Sequence, residues 1–296
     1  MSTADEIEDS SAPLIEHLAE LRTRLIRSVG AFLVGMVICF TFGGAILDFL
    51  LVPIENTMRA LGDPNPVMQY TAPQEYFFTL VRVSVVGGLI LSFPIIANQL
   101  WRFVAPGLYK NEKNAFLPFL IASPFMFLLG ASFAFYVVTP LAYDFFLGFQ
   151  QFGGEGQAVE PGMNGAPLSV VFQGSAQEYL NLTVKFIVAF GMCFQLPVLL
   201  TLMGKAGLVN SEGLRNVRKY AVVGILVLAA LVAPPDVITQ IILFVVVYGL
   251  YEVSIQLVKR VERQREAKLR AEGLWFEDDE EAADVAEAEA EDEASK

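Results

Sequence analysis

The sequence predicts an all-α integral membrane protein with six transmembrane helices, kinked and cupped, both termini cytoplasmic, and helices 5 and 6 short. Three observations carry this. The chain of 296 residues is 54% hydrophobic and 18% charged, with mean hydropathy +0.51. Soluble domains carry roughly 25% charged residues, and an ordinary water-soluble core cannot absorb this much apolar side chain. The apolar residues are gathered into six runs. The lysines and arginines between those runs concentrate in alternate segments, the asymmetry that orients a polytopic chain.

The first 28 residues are polar and mixed in charge. A secretory leader would begin basic and end at a small-residue cleavage site. Asp5, Glu6, Glu8 and Asp9 stand there instead, so the run Val29–Leu47 reads as a retained helix 1. Helix 2 is expected over Val83–Leu100, helix 3 over Phe116–Tyr143 and helix 4 over Tyr179–Met203. Helix 5 is expected over Tyr220–Ala233 and helix 6 over Val237–Tyr251. The fourteen residues of helix 5 rise only about 21 Å, against a hydrocarbon core of about 30 Å. Its pairing with a second short run across Pro234-Pro235-Asp236 suggests a short membrane hairpin and local thinning of the bilayer. Proline stops helix 5, and Asp236 suits the positive end of helix 6.

Lysines and arginines number 3, 1, 3, 0, 4, 0 and 7 in the successive non-apolar segments, starting at the N-terminus. Both termini are therefore expected in the cytoplasm. Residues 1–28 form a cytoplasmic N-terminal segment, 29–258 a six-span membrane domain, and 259–296 a cytoplasmic tail that is acidic and expected to be disordered from 277. From Glu277 to Lys296 there are 11 acidic residues and one lysine, whereas the preceding 276 residues carry 21 acidic and 19 basic ones. The formal charge of −12 thus belongs mostly to the tail.

This balance excludes a basic nucleic-acid binder. Two cysteines exclude a disulfide scaffold; Cys39 and Cys193 sit in apolar runs and read as small buried hydrophobes. With one histidine, His17, a site of several His or Cys metal ligands is not expected. No Gly-x-Ser-x-Gly, His-Glu-x-x-His or Walker A pattern occurs, so no catalytic residue, metal or cofactor is assigned.

Prolines fall inside the expected spans at 94, 118, 124 and 197. Each removes a backbone hydrogen bond and can bend its helix, as a cavity-forming bundle requires. Arg82 and Lys185 lie near the expected outer ends of helices 2 and 4. They read either as snorkelling cations or as the lining of a wet groove. Gln195, deeper and beside Pro197, should face protein or water rather than lipid. Gln240 in helix 6 reads equally as a partner contact or as packing.

Leu14, Leu18, Leu21 and Leu25 make an amphipathic stripe, with Ser11 as expected N-cap and Pro13 in the first turn. Glu16 and Glu20 lie on nearly the opposite face, and Glu20 can pair with Arg24 four residues on. A solvated charged face accounts for this pattern as well. The loop after helix 2, with Trp101, Phe103, Val104, Leu108 and Tyr109, is too apolar for a plain surface loop. It suits lipid headgroups or a peptide-binding surface.

Leu14–Leu25 (LIEHLAELRTRL) resembles the N-terminal signature of the TatC family, the multispanning subunits of the twin-arginine protein translocase. Trp101–Glu112 (WRFVAPGLYKNE) resembles that family's first cytoplasmic loop, and Phe194–Val198 and Pro234–Asp236 match two further motifs. The resemblance runs from about Leu14 to Val258. It implies a non-enzymatic receptor and core of a bacterial inner-membrane translocase that exports folded proteins, driven by the proton motive force. It also implies single-span partners of the TatA and TatB type, self-association, and recognition of twin-arginine signal peptides.

By the same resemblance the recognition carboxylates fall on Glu20 and Glu112; a carboxylate accepts a guanidinium fork bidentately. Arg22 and Arg24 shape the N-terminal part of the site, and Trp101 and Phe103 help to dock the peptide. Lys185, Gln195 and Gln240 are groove or partner contacts. Pro53, Tyr109, Pro197, Pro234, Pro235 and Asp236 are supports. Many relatives carry glutamate where this chain has Gln195, an amide that cannot ionise. The competing reading is a small-solute secondary transporter or channel, although the paired repeats common in transporters are not visible.

Overall fold

The computed structural model describes residues 3–104, 117–152, 174–233 and 237–271. Expectations for Tyr109, Glu112, Pro234, Pro235, Asp236 and the acidic segment from 277 lie outside the described residues. Helix α1 spans Thr3–Thr41, α2 Gly43–Ala60, α3 Pro73–Val104, and α4 Leu117–Phe133. A π-helical turn over Ala134–Val138 leads into α5, Thr139–Phe152. Then follow α6 (Ala176–Cys193), α7 (Leu196–Lys205), α8 (Ser211–Asn216), α9 (Arg218–Val232) and α10 (Val237–Ala271). Five helical stretches are long and apolar enough to cross a membrane: Leu18–Thr41, Pro73–Phe103, Pro118–Gly148, Ala176–Lys205 and Val237–Ala267.

The expected elements change in specific ways. The N-terminal amphipathic segment and helix 1 are one helix, which begins at Thr3, so Ser11 lies inside α1 rather than capping it. The chain breaks at Phe42 and continues as α2, where an outer loop was expected from Val52. Leu47, Leu50, Ile54 and Met58 recur at three- and four-residue spacing and are all buried; this amphipathic stripe outweighs the charges at Asp48 and Glu55. Pro53 sits buried inside α2. Helix α3 starts ten residues earlier than expected, and Trp101, Arg102 and Phe103 form its last turn instead of a loop.

Helix 6 is not short. Helix α10 runs for 35 residues, because its buried stripe of Leu243, Val247, Tyr251, Ile255 and Val258 continues past the apolar run. Helix α9, with 15 residues, does remain shorter than a hydrocarbon core at about 22 Å. The positions 28/29 and 258/259, expected as boundaries, fall inside the continuous helices α1 and α10.

Prolines 94 and 124 are absorbed within α3 and α4. The actual breaks lie elsewhere. The π turn ends beside Pro140, where a proline ring would press on the carbonyl four residues back. The Thr139 hydroxyl donates to Ala134 O at 2.9 Å within it. The break between α6 and α7 falls at Phe194–Gln195, two residues before Pro197, and Gln195 N donates to Met192 O at 3.0 Å in a tightened turn.

Glycines set how closely the helices cross. A Cβ on Gly88 would stand 2.6 Å from Met36 N, and one on Gly35 2.9 Å from Gly88 O, so α1 and α3 meet backbone to backbone. A Cβ on Gly130 would likewise stand 2.5 Å from Phe190 O, between α4 and α6. Gly204 faces Val258 between α7 and α10. Small residues at such crossings bring apolar helices into full van der Waals contact without a hydrophobic driving force. Between them lies a core of Phe127, Phe186, Phe190 and Val138, each fully buried. Cys39 and Cys193 are buried and unpaired.

Candidate functional site

The expected recognition residues divide between α1 and the end of α3. The pairs Gly35–Gly88 and Phe40–Phe77 show that α1 and α3 run antiparallel. From the Gly35–Gly88 crossing, Glu20 lies fifteen residues along α1 and Phe103 fifteen along α3. Each distance is about 22 Å, so the two residues reach the same level at the same end of the molecule.

At that end the Glu20 carboxylate accepts from Arg24 through Nε at 2.9 Å and also from Nη2. The side chains are 35% and 18% exposed. The carboxylate thus already holds one guanidinium fork, supplied by its own helix. Arg22 and Arg27 are exposed, and so are Leu18, Leu21 and Leu25. The apolar stripe of α1 therefore has no cover among the described residues at this level. Phe103 is half-buried and Arg102 exposed.

Trp101 was expected to offer its ring on a loop. It is 4% exposed and packs with Phe93, Ala97, Phe127, Val198 and Leu202, because α3 continues past it and turns it into the bundle. Its indole Nε1 finds no partner among the described residues, nor do Asn98 Oδ1 and Gln99 Oε1. Asn98 and Gln99 were not singled out from the sequence. Their only signal is two consecutive amides at the end of an apolar run.

Gln195 faces Ser123 of α4. Its Nε2 donates to Ser123 O at 2.9 Å, and the Ser123 hydroxyl donates to Gln195 Oε1 at 2.6 Å. This reciprocal pair uses both ends of a neutral amide and closes the break between α6 and α7. A carboxylate would set an oxygen against the Ser123 carbonyl. Gln240 is half-buried in the first turn of α10.

Arg82 and Lys185 were expected near helix ends. Each stands nine residues inside its helix, about 14 Å in. Both are exposed, and neither makes an ion pair among the described residues. Arg82 lines a cavity of 830 Å³ with Gln74, Glu75, Phe78 and Gln177. Lys185 lines one of 550 Å³ with Asn181, Tyr143, Phe146 and Leu231. Ser175 and Glu178 border both, so the two cavities meet at the start of α6.

The end of the molecule where these cavities meet is closely tied, which the sequence reading missed. Strands β1 (Met68–Gln69) and β2 (Gly174–Ser175) pair in parallel. Glu75, 6% exposed, accepts from Thr71 N at 2.5 Å, Thr71 Oγ1 at 2.9 Å and Ala72 N at 3.1 Å. Its other oxygen accepts from Ser175 Oγ at 3.3 Å. Pro73 at the first helical position, with glutamate at the third, is a helix-start signature legible in the sequence. Tyr143 donates to Tyr179 O at 3.0 Å and Tyr179 to Leu50 O at 2.9 Å, joining α5, α6 and α2. Tyr70, edge-on to Tyr76 at 5.3 Å, has its phenol pushed up from 10 by partial burial, then by Tyr76, Glu75 and Asp48. It therefore stays a neutral hydrogen-bonding group.

Residues 16–245 match the family model for TatC, the Sec-independent protein translocase protein. The chain is 42% identical over 271 residues to the Sec-independent protein translocase protein TatC of Magnetococcus marinus, covering 91% of this chain and 93% of that one. It is 38% identical to the protein of the same name from Aquifex aeolicus, covering 86% and 97%. Among solved structures it resembles a crystal structure of the twin arginine translocase receptor TatC, with TM-score 0.68 and 37% identity, covering 83% of this chain and 99% of that one.

Proposed function

Because this chain belongs to the TatC family of Sec-independent protein translocase proteins, we propose that it is the twin-arginine signal-peptide receptor and core subunit of a proton-motive-force-driven translocase for folded proteins. The observation that carries the reading to particular atoms is the Glu20 carboxylate, partly exposed and already holding the Arg24 guanidinium. A seat that accepts one fork from its own helix accepts another from a peptide. Glu112 supplies the second carboxylate. Arg22 and Arg24 border the first seat, and Phe103 reaches the level of Glu20. Trp101, with its ring packed inward, supports the end of α3.

The reading includes six spans, with α9 as the short fifth, and both termini in the cytoplasm of a bacterial inner membrane. The alternating lysine and arginine counts support it. Residues 1–28 form the cytoplasmic entry segment, 29–258 the membrane domain and 259–296 the cytoplasmic tail, acidic from 277. Single-span subunits of the TatA and TatB type, and further copies of this chain, are its partners. Lys185, Gln195 and Gln240 are polar positions inside the membrane for such contacts. Pro53, Tyr109, Pro197, Pro234, Pro235 and Asp236 support the fold around them. Family membership favours this function over solute transport.

The test is photo-crosslinking of a twin-arginine signal peptide to membranes that carry Glu112→Ala or Glu20→Ala. Contact and export should both fall. Undiminished contact and export in either variant would remove that residue from the site.

A further inference from the structure

Two of the long apolar stretches carry the same internal spacing. Arg82 and Arg102 stand twenty residues apart on α3, and Lys185 and Lys205 twenty residues apart over α6 and α7. Twenty residues rise about 30 Å, the thickness of a hydrocarbon core. No Asp, Glu, Lys or Arg lies between the members of either pair. The two stretches begin side by side at the parallel β1–β2 pair, and Arg82 and Lys185 each follow nine residues after their helix starts. Both therefore mark one edge of the core, at the same end of the molecule.

The residues before them project past that edge. Glu178 precedes Lys185 by seven residues, which places it about 10 Å beyond the core. Headgroups fill about 5–8 Å there. A cation thus stands at the inner side of the headgroup layer and a carboxylate at its aqueous side.

Arg82 and Glu178 line one cavity of 830 Å³ between α3 and the start of α6. Both are exposed. Among the described residues neither side chain makes an ion pair, with the other or with any third group. The other carboxylate of this wall, Glu75, is already engaged by Thr71, Ala72 and Ser175. Gln74 and Gln177 add amides beyond the edge, and Val85 lies one turn below Arg82, inside the core.

A phospholipid presents its chemistry in the same order: acyl chain, phosphate, then the group esterified to the phosphate. A guanidinium takes a phosphate bidentately. The carboxylate beyond it selects a cationic head. A primary ammonium brings three N–H donors for charge-assisted hydrogen bonds; a trimethylammonium brings none, and a glycerol head leaves the phosphate charge facing Glu178 uncompensated.

We propose that this cavity seats one zwitterionic phospholipid of the phosphatidylethanolamine class, with its phosphate on Arg82 and its ammonium on Glu178. The seat needs only that the chain spans a membrane, whatever peptide it receives at the other end. Lys185 faces the neighbouring cavity, which Glu178 also borders, and it is not the phosphate's partner.

The test places the full chain in phosphatidylcholine nanodiscs with a trace of lipid that carries a photoreactive diazirine at the top of one acyl chain. Products are mapped by mass spectrometry. Labelled phosphatidylethanolamine should react with residues 78–85 and 175–182. Its yield there should exceed that of equally labelled phosphatidylcholine or phosphatidylglycerol by about ten-fold, the factor one hydrogen bond to a charged group supplies. Arg82→Gln should lower the yield from all three lipids. Glu178→Gln should erase the preference and let phosphatidylglycerol react as well as phosphatidylethanolamine. Lys185→Gln should leave the preference in place. Matching thermal midpoints of the variants and the unaltered chain would tie lost labelling to lost binding. Equal yields from the three lipids in the unaltered chain, or labelling that ignores Arg82→Gln, would overturn the proposal. So would phosphatidylglycerol reacting best, which would assign the cavity to anionic lipid. No product at these residues would overturn it as well, and would mean that protein covers the cavity.

Discussion

Replacing Glu20 by glutamine, and separately Arg24 by glutamine, tests whether the α1 carboxylate is the peptide's seat and what its resident arginine does there. The Glu20–Arg24 pair joins residues four apart on one helix, with side chains 35% and 18% exposed. Such pairs contribute about 0.3–0.5 kcal/mol. Displacing Arg24 by an incoming guanidinium therefore costs about a factor of two in affinity. Losing the charge of Glu20 removes hydrogen bonds to a charged group, each worth about 1.5–3 kcal/mol, or roughly 10- to 150-fold in the dissociation constant.

Binding of a fluorescent twin-arginine peptide to the chain in nanodiscs, with a twin-lysine peptide as control, reads both quantities. Glu20→Gln should weaken the twin-arginine peptide by at least ten-fold and narrow its advantage over the control. Arg24→Gln should change affinity by no more than about three-fold, because the gain from an empty seat offsets the loss of an orienting contact. Unchanged affinity in Glu20→Gln would refute the reasoning at its root. A ten-fold loss in Arg24→Gln would show that Arg24 holds the site together and is not displaced.

Four further outcomes follow from the packing. Gly88→Ala puts a methyl 2.6 Å from Met36 N; such overpacking costs about 1–3 kcal/mol, which should lower the thermal midpoint in detergent by several degrees. Gly30→Ala on α1 meets nothing within 4 Å and should leave the midpoint unchanged or raise it. A double-mutant cycle of Gln195→Ala with Ser123→Ala should give a coupling of about 0.5–1.5 kcal/mol by denaturation in mild detergent; zero coupling would mean the Ser123 hydroxyl bond to Gln195 Oε1 at 2.6 Å contributes nothing to holding α4 against the helix break. Glu75→Ala should accelerate proteolysis of the segment 61–72 more than Glu75→Gln, since glutamine keeps an oxygen for Thr71 and Ala72; equal rates would show that the carboxylate ties nothing down.

The sequence exposed what depends on composition. Apolar runs marked the spans, and a four-residue spacing paired Glu20 with Arg24, which the structure shows. The burial of both cysteines was legible from their apolar neighbours. What it hid depends on amphipathic continuation. Helix α2 carries Asp48 and Glu55 on its exposed side, so the apolar run ends at Leu47, inside it, while the buried stripe of Leu47, Leu50, Ile54 and Met58 goes on. Helix α10 passes through Glu252, which pairs with Arg218 at 2.7 Å, and the charge looked like an end. Trp101 was misplaced for the same reason, because α3 extends through the aromatic segment that read as a loop. Helix breaks were hard to locate because a proline shows where a hydrogen bond is missing, not whether neighbours tolerate it.

The ties are unevenly distributed, and that bears on how a receptor of this shape works. At one end of the molecule the β1–β2 pair, the Glu75 cap and the Tyr143–Tyr179–Leu50 relay join α2, α3, α5 and α6. At the opposite end, beyond the Gly35–Gly88 crossing, Leu18, Leu21, Leu25 and Ile26 of α1 are exposed, by 40–62%. Local opening is least costly where few buried contacts must break. Opening is therefore expected first in the arm of α1 that carries Glu20, beyond the glycine crossing, and last at the β1–β2 end. A peptide seated on Glu20 and covering those leucines would hold that arm in one position. Peptide binding should therefore slow hydrogen exchange across residues 18–30 and leave residues 68–80 unchanged.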